Sequence, residues 1–390
     1  MAYNPNILRD VLRARSLTRR QLSERIGLDP ADLENELSRD PEPRQGVLNS
    51  IAHELALPPF VFFMERTPAL HDVIPDFRAP DPAPTAKTRQ TIEAIQFAEG
   101  VQKAAVEGEA PGVEDDLPHF TATLLANVDK FALKAREFFG ISQQDQAEAK
   151  DAREFYILCR KKIEDKGIFV LHDSFPEQDG SGFCLWHATH PLILINTKQQ
   201  TRGRRLFTLI HELAHVLMRK TGISDPFVRE NTTERLCNRF AGAFLVPEEY
   251  ARGLLGTGNI DNDPDYDDVR WASRRLKISQ EATVLRLEQL EIYKTGSHEK
   301  WKRIIHNRGN PDFSEKGGGA SEPPPQEKVK LAKYGFHFAA TFDYLLRLGR
   351  ISELNLFRST GLKPKYQRAY FDYAKSITSS ELRELEPDDE

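Results

Sequence analysis

Apolar positions recur with helical spacing from the start of the chain. Ile7, Leu8, Val11 and Leu12 share one face, and Leu22 and Ile26 follow after Thr18, a residue suited to capping a helix. Gly27 stops that second helix. Asp29 opens a third with Leu33 and Leu37, and Val47, Leu48, Ile51, Ala52 and Leu55 mark a fourth that ends before Pro58-Pro59. Prolines then crowd residues 75–84, which read as a linker or an extended strap. Helical spacing resumes from Thr85 to Phe139, with a break near Pro111-Gly112, and again over 151–166. After Gly167 the period changes: 168–171, 182–187 and 192–196 predict three strands. Two long helices follow, around 202–219 and 231–245, then a helical pair over 265–292. Residues 310–326, with runs of three glycines and three prolines, read as a flexible linker to a last helical module from Lys328 to Leu382 and an acidic tail.

This pattern predicts an α+β fold, mostly helical with a small β-sheet. The expected segments are a helical head over 1–66, a linker and helical segment packing on the core over 67–150, a central domain over 151–295, a flexible linker over 296–327 and a basic helical module with an acidic tail over 328–390. Hydrophobic residues make up 39% of the chain, enough for sizeable cores, and the net charge of -5 gives no global case for nucleic-acid binding. The three cysteines, Cys159, Cys184 and Cys237, are odd in number and far apart, which favours free thiols in a reducing compartment. The first residues lack the apolar core of a secretory signal, and no apolar run approaches the ~18 residues of a membrane span. The expectation is a soluble cytoplasmic protein with no membrane partner.

The chemistry concentrates in the segment RRLFTLIHELAHVLMRK. It contains H-E-x-x-H as His211, Glu212 and His215. A spacing of i, i+4 puts both imidazoles on one helix face, and two neutral imidazoles suit zinc. The surrounding Leu206, Leu209, Ile210, Leu213, Val216 and Leu217 make this helix a core element, so a His-Glu-His set within it needs a partner such as a metal. H-E-x-x-H alone also arises by chance, and a catalytic zinc needs a third protein ligand. Glu234, 19 residues after His215 at the start of the next long helix, is the candidate. Asp225 and Glu230 lie in the connecting loop and are less well fixed. Glu212 can then reach a water on the open side of the metal and serve as general base.

RRLFTLIHELAHVL followed by ERLCNRFAGAFLVP resembles the ImmA/IrrE family of zinc metallopeptidases. Members pair H-E-x-x-H with a downstream Glu-x-x-(Ala/Cys)-Asn-x-Phe-Ala helix, matched here by Glu234, Cys237, Asn238, Phe240 and Ala241, with Leu245 and Pro247 after them. VRWASRRLKISQEATVLRLEQLEIY resembles the family's next helical pair, so the likeness covers about residues 150–293; Ala243-Phe244 departs from the usual small-to-aliphatic pair without touching a ligand position. The resemblance implies a zincin-like core with one Zn2+ and a gluzincin-like endopeptidase. It further implies cleavage of a partner protein, a transcriptional repressor, in a phage, mobile-element or stress response. In zincins substrate backbone lies along an edge strand; the expected strand is 191–197, with Ile193, Ile195 and Asn196 as substrate-binding positions.

Residues 4–60 resemble a Cro/repressor-type (XRE) helix-turn-helix domain. Its presumed reading helix carries Asp29, Asp32, Glu34 and Glu36 and no basic residue before Arg39, and residues 1–66 hold nine Arg against ten Asp plus Glu. That is a poor footprint for a phosphate backbone. Residues 328–380 are the reverse, with ten Lys plus Arg against three Asp plus Glu. Lys363, Lys365 and Arg368, interleaved with Tyr366, Tyr370, Phe371 and Tyr373, are candidate nucleic-acid contacts. A basic helical bundle with an aromatic core is the competing reading. The Pro-rich and Gly/Pro-rich tracts are long enough to let either accessory module cover or leave the central domain. The partners expected are a protein substrate, DNA (double- or single-stranded) through either end, and a second copy in a homodimer. The alternative function is a DNA-binding transcription regulator or antitoxin-like protein whose peptidase domain is a sensor.

Overall fold

Caps place the first helices where the sequence predicts them. In the computed structural model, which describes residues 2–68, 86–113, 117–120, 127–198, 200–224, 232–255, 264–308 and 324–377, these are α1 (Pro5–Ala14), α2 (Arg19–Ile26), α3 (Pro30–Leu37) and α4 (Gln45–Glu54). Thr18 and Gln21 form a capping box at α2, Gly27 closes it at φ 72°, and Asp29 accepts from the Ala31 amide at α3. Ile7, Val11, Leu22, Leu33, Ile51 and Phe62 form a small core separate from that of the rest of the chain. The acids of α3 are partly used within the module: Glu34 meets Arg19 and Glu36 meets Arg44, each at 2.6 Å.

The larger core begins with α5 (Arg89–Glu107), α6 (Val128–Phe138), α7 (Gln143–Glu148) and α8 (Ala152–Glu164). It continues through β1 (Phe169–Asp173), β2 (Gly182–Leu185), β3 (Leu192–Asn196), α9 (Arg202–Leu217), β4 (Gly222–Ser224) and α10 (Thr232–Leu245). Next come α11 (Glu248–Leu255), α12 (Tyr266–Leu276) and α13 (Gln280–Gln289). The sheet order is β1-β3-β2-β4, with β1 parallel to β3 and the other pairs antiparallel. Strands β2 and β3 are buried along their whole length, as a sheet covered on both faces requires. Helix α9 packs on β2 and β3 and against α8 and α10.

Helix α10 is pinned at its C-terminal end by side chains. Arg136 donates to the Phe244 carbonyl at 2.7 Å, Gln146 to the Leu245 carbonyl at 2.8 Å, and Arg286 to the Val246 carbonyl at 2.9 Å. These carbonyls lack intrahelical donors, so α6, α7 and α13 complete the helix that carries Glu234.

Several expectations are corrected. Strand β3 is internal and uses its backbone groups on both sides, so the segment 191–197 is not an edge. Strand β4, absent from the sequence reading, is an outer strand, and α11 is a further helix not foreseen. The segment 296–327 does not begin as a flexible linker. It opens with α14 (Ser297–Arg308), whose Trp301 is buried and stacks near Tyr266. The predicted strap at 75–84, residues 310–323 and the acidic tail lie outside the described residues.

The last helices, α15 (Gln326–Arg347), α16 (Glu353–Thr360) and α17 (Pro364–Ser376), do not form a detached module. Leu331, Tyr334, Phe338, Phe342, Tyr370 and Phe371 belong to the same core as the sheet, and α15 lies on β1. The docking is polar as well. Arg160 of α8 donates to the carbonyls of Ala332 and Val170, each at 2.7 Å, and the Phe336 amide donates to Glu164 at 3.0 Å. Burial, partly offset by Arg160, raises the Glu164 carboxyl to about 7. At the centre of the contact α15 breaks at Gly335, with φ 82°.

A Cβ at Gly335 would lie 1.8 Å from Glu164 Oε1 and would sit on a positive φ. We therefore expect Gly335→Ala to destabilise the protein by about 2–4 kcal/mol and to expose the C-terminal helices. Thermal denaturation and limited proteolysis measure this; an unchanged melting temperature and digestion rate would mean that the contact does not need a glycine.

Candidate active site

Helix α9 starts at a Thr201 cap and is buried over nearly all of its last three turns, with His211, Glu212 and His215 among the buried residues. Its apolar face explains that burial, because Leu206, Leu209, Ile210, Leu213, Val216 and Leu217 are all core. Glu234 lies in the first turn of α10. The two helices pack together, and His211, Glu212, His215 and Glu234 are each 0% exposed.

Three of these side chains converge on one point. His211 Nε2 is 3.1 Å from Glu234 Oε2, His215 Nε2 is 3.0 Å from Glu234 Oε1, and the two Nε2 atoms are 3.2 Å apart. On its other side His211 Nδ1 is 2.9 Å from Asn238 Oδ1. A carbonyl oxygen only accepts, so Nδ1 carries a proton and Nε2 is the nitrogen that faces Glu234. Two imidazole nitrogens and a carboxylate facing one another form a set that can hold a cation, and two nitrogens with one carboxylate oxygen fit the donor set of a catalytic zinc.

Charges within this seam are strongly coupled. Burial pushes His211 down, but Glu234 outweighs it and leaves that imidazole raised. Burial wins at His215, which is lowered. Glu234 would be raised by its own burial, yet the two histidines hold it down at about 2. Cys237 also comes near, since its sulfur and ligand nitrogens of the two histidines lie within 4.8 Å of one another. Glu234 is the better third donor. Its two oxygens lie 3.1 and 3.0 Å from the imidazole nitrogens, so it meets both rings at once.

Glu212 turns its Oε1 toward the sheet. Ser224 Oγ of β4 donates to Glu212 Oε1. Gly182 of β2 leaves room for the carboxylate, for a Cβ there would lie 3.2 Å from the same oxygen. Both contacts were invisible to sequence reasoning. Asn238 was present in the motif but had no role until the helices were packed.

The other sequence-predicted positions are not at this centre. Ile193 and Ile195 are core residues of β3. Asn196 is a structural pin: its Nδ2 donates to the carbonyls of Phe175 and Gly180, each at 3.0 Å. Paired with β1 and β2, β3 therefore offers no free edge to a substrate strand. Asp225 and Glu230 lie outside the described residues. Lys363, Lys365 and Arg368 are exposed on α17, which packs on α15 over β1, at the opposite side of the sheet from β4. Tyr370 and Phe371 are core and are not available to stack with bases.

Residues 163–288, which include His211, Glu212, His215 and Glu234, match the Peptidase_M78 family model, described as an IrrE N-terminal-like domain, and the match supports a metallopeptidase kind of domain. No curated protein matches the chain. Among solved structures a Mycobacterium tuberculosis transcriptional regulator is similar at 16% identity, over 50% of this chain and 51% of that one, with a TM-score of 0.26. The chain thus spans about half the length of that protein.

Asn238 orients His211 without being a ligand. Asn238→Leu is expected to leave the fold intact and to weaken metal affinity about 10–100-fold, as loss of an outer partner does. Competition against a chromophoric chelator reads this directly, and parent-like affinity would remove Asn238 from the site.

Proposed function

We propose that the protein is a zinc-dependent endopeptidase, with His211, His215 and Glu234 holding the metal and Glu212 as general base. The observation that carries this reading is the convergence of two Nε2 atoms and a carboxylate within 3.0–3.2 Å, fully buried, with Glu212 next to His211 on the same helix. Zinc, when bound, supplies a Lewis acid and lowers the pKa of a bound water. Glu212 takes the proton from the attacking water and delivers it to the leaving amine. Ser224 holds the Glu212 carboxylate in position by its hydrogen bond. Asn238 fixes the His211 tautomer. The outer strand β4, which carries Ser224, is the element along which a substrate strand is best placed to add.

The substrate class rests on the family resemblance: a partner protein, a transcriptional repressor, cut in response to a signal inside the cell. The N-terminal helices suit docking to that partner better than reading DNA. The presumed reading helix α3 presents acids, and Glu34 and Glu36 already use Arg19 and Arg44, cations that a phosphate backbone needs.

Purified protein is expected to hold one zinc per chain, and His215→Ala to lose most of it, as elemental analysis would register. Glu212→Gln is expected to keep the metal and the fold while cleavage of a genuine partner falls by at least about 100-fold. Zinc retained at the parent level in the first variant, or cleavage retained in the second, refutes the corresponding assignment.

For the N-terminal helices the expectation is weak, salt-sensitive DNA binding at most. Titration of duplex DNA at physiological salt tests it; nanomolar sequence-specific binding that is lost on removing residues 1–66 would restore the DNA-reading alternative.

A further inference from the structure

We propose that a cleft between the starts of α8, α9 and α13 and the end of α12 binds a small phosphate-bearing ligand. The cleft has a volume of about 550 Å³ and is lined by Lys150, Arg270, Arg274, Arg275 and Lys277, with Asp151 the one carboxylate among its lining residues. None of the five cations takes part in an ion pair among the described residues. Such a cluster repels itself, and an anion is its natural complement.

Backbone dipoles point the same way. Asp151, Thr201 and Ser279 are the caps of α8, α9 and α13, helices of 13, 16 and 10 residues, and all three line the cleft. Each cap satisfies one amide of its first turn, leaving others without an intrahelical acceptor. Two of the starts abut: a Cβ at Gly203 would lie 3.4 Å from the Ser279 nitrogen.

Lys277 is the most telling residue. It is 9% exposed, its ammonium donates to the Lys150 carbonyl at 3.3 Å, and its backbone has φ 59°. A left-handed position closing a helix favours glycine, and burial disfavours an ammonium. Both costs at one residue mark a charge kept for use. Gln280, also lining the cleft, has its Oε1 buried with no hydrogen-bond partner. The volume suits a small ligand, whose pockets span about 300–1,000 Å³.

Isothermal titration of the full chain tests this, using inorganic pyrophosphate and magnesium adenosine triphosphate as probes and a duplex DNA as the third arm. Measurements repeated on His215→Ala keep chelation of zinc from being read as binding, and keep the result independent of the peptidase assignment. One ligand per chain is expected from at least one small probe. A preference between them tells bare phosphate from nucleotide chemistry. Arg270→Ala/Arg274→Ala and Lys277→Gly should each weaken binding by about tenfold or more while melting as the parent does, since charge-assisted contacts are lost. Lys365→Ala/Arg368→Ala should bind as the parent. The proposal is overturned if neither small probe binds at millimolar concentration, if the cleft variants bind as the parent, or if only the duplex binds.

Discussion

An ionised carboxylate buried between two helices governs this protein. Glu234 has no exposure, and its oxygens face the imidazole nitrogens of His211 and His215 at 3.1 and 3.0 Å. A charge of that kind is tolerated only when it is paired and held rigidly, because desolvation in the interior costs several kcal/mol per ion. The surrounding architecture meets that demand. Helix α9 is wedged against the sheet, α10 is fastened by Arg136, Gln146 and Arg286 at its far end, and Asn238 fixes the ring of His211. A seam of lone pairs assembled at this cost is stable when a cation fills it.

The same packing separates two carboxylates that are 22 positions apart in sequence and share one small volume. Glu234 is turned to the imidazoles and held ionised. Glu212 is turned to the sheet, where a hydroxyl from Ser224 meets it. On the proposed function, environment and not residue type divides the work between a ligand and a base.

Much of this was legible in the chain, and the limits have physical causes. The spacing of His211, Glu212 and His215 is a local property of a helix, so it is readable without knowing the fold. The N-terminal caps at Thr18, Gly27 and Asp29 are local too, and the structure has them where the sequence indicates. Strand order is not local. The run Leu192–Asn196 reads as a good strand, but only pairing with β1 and β2 makes it internal and turns Asn196 into a pin. Gly222–Ser224 is too short to show a period of two, so β4 and Ser224 stayed hidden. Helix α14 was lost because its polar surface precedes a glycine- and proline-rich tract, and its one buried apolar side chain is Trp301. The aromatic residues of α15 and α17 lie at helical spacing, which fits a core and a base-stacking surface equally; β1 decides for the core.

Helix α9 also joins the two charged regions of the molecule. Its N-terminus opens into the cationic cleft, and its sixth and seventh residues from the other end begin the metal motif, about 15 Å along the axis at 1.5 Å per residue. Helix α9 packs against α8, α10, β2 and β3, so its length belongs to one close-packed unit. The four site side chains are closed to solvent here. On the proposed peptidase reading, a peptide bond reaches them only when the packing around α9 and β4 opens, and exclusion of water is what makes the buried charges effective once it has entered. On that reading the burial that stabilises the resting site also opposes hydrolysis, so the energy for opening must come from outside the site, by binding of the substrate.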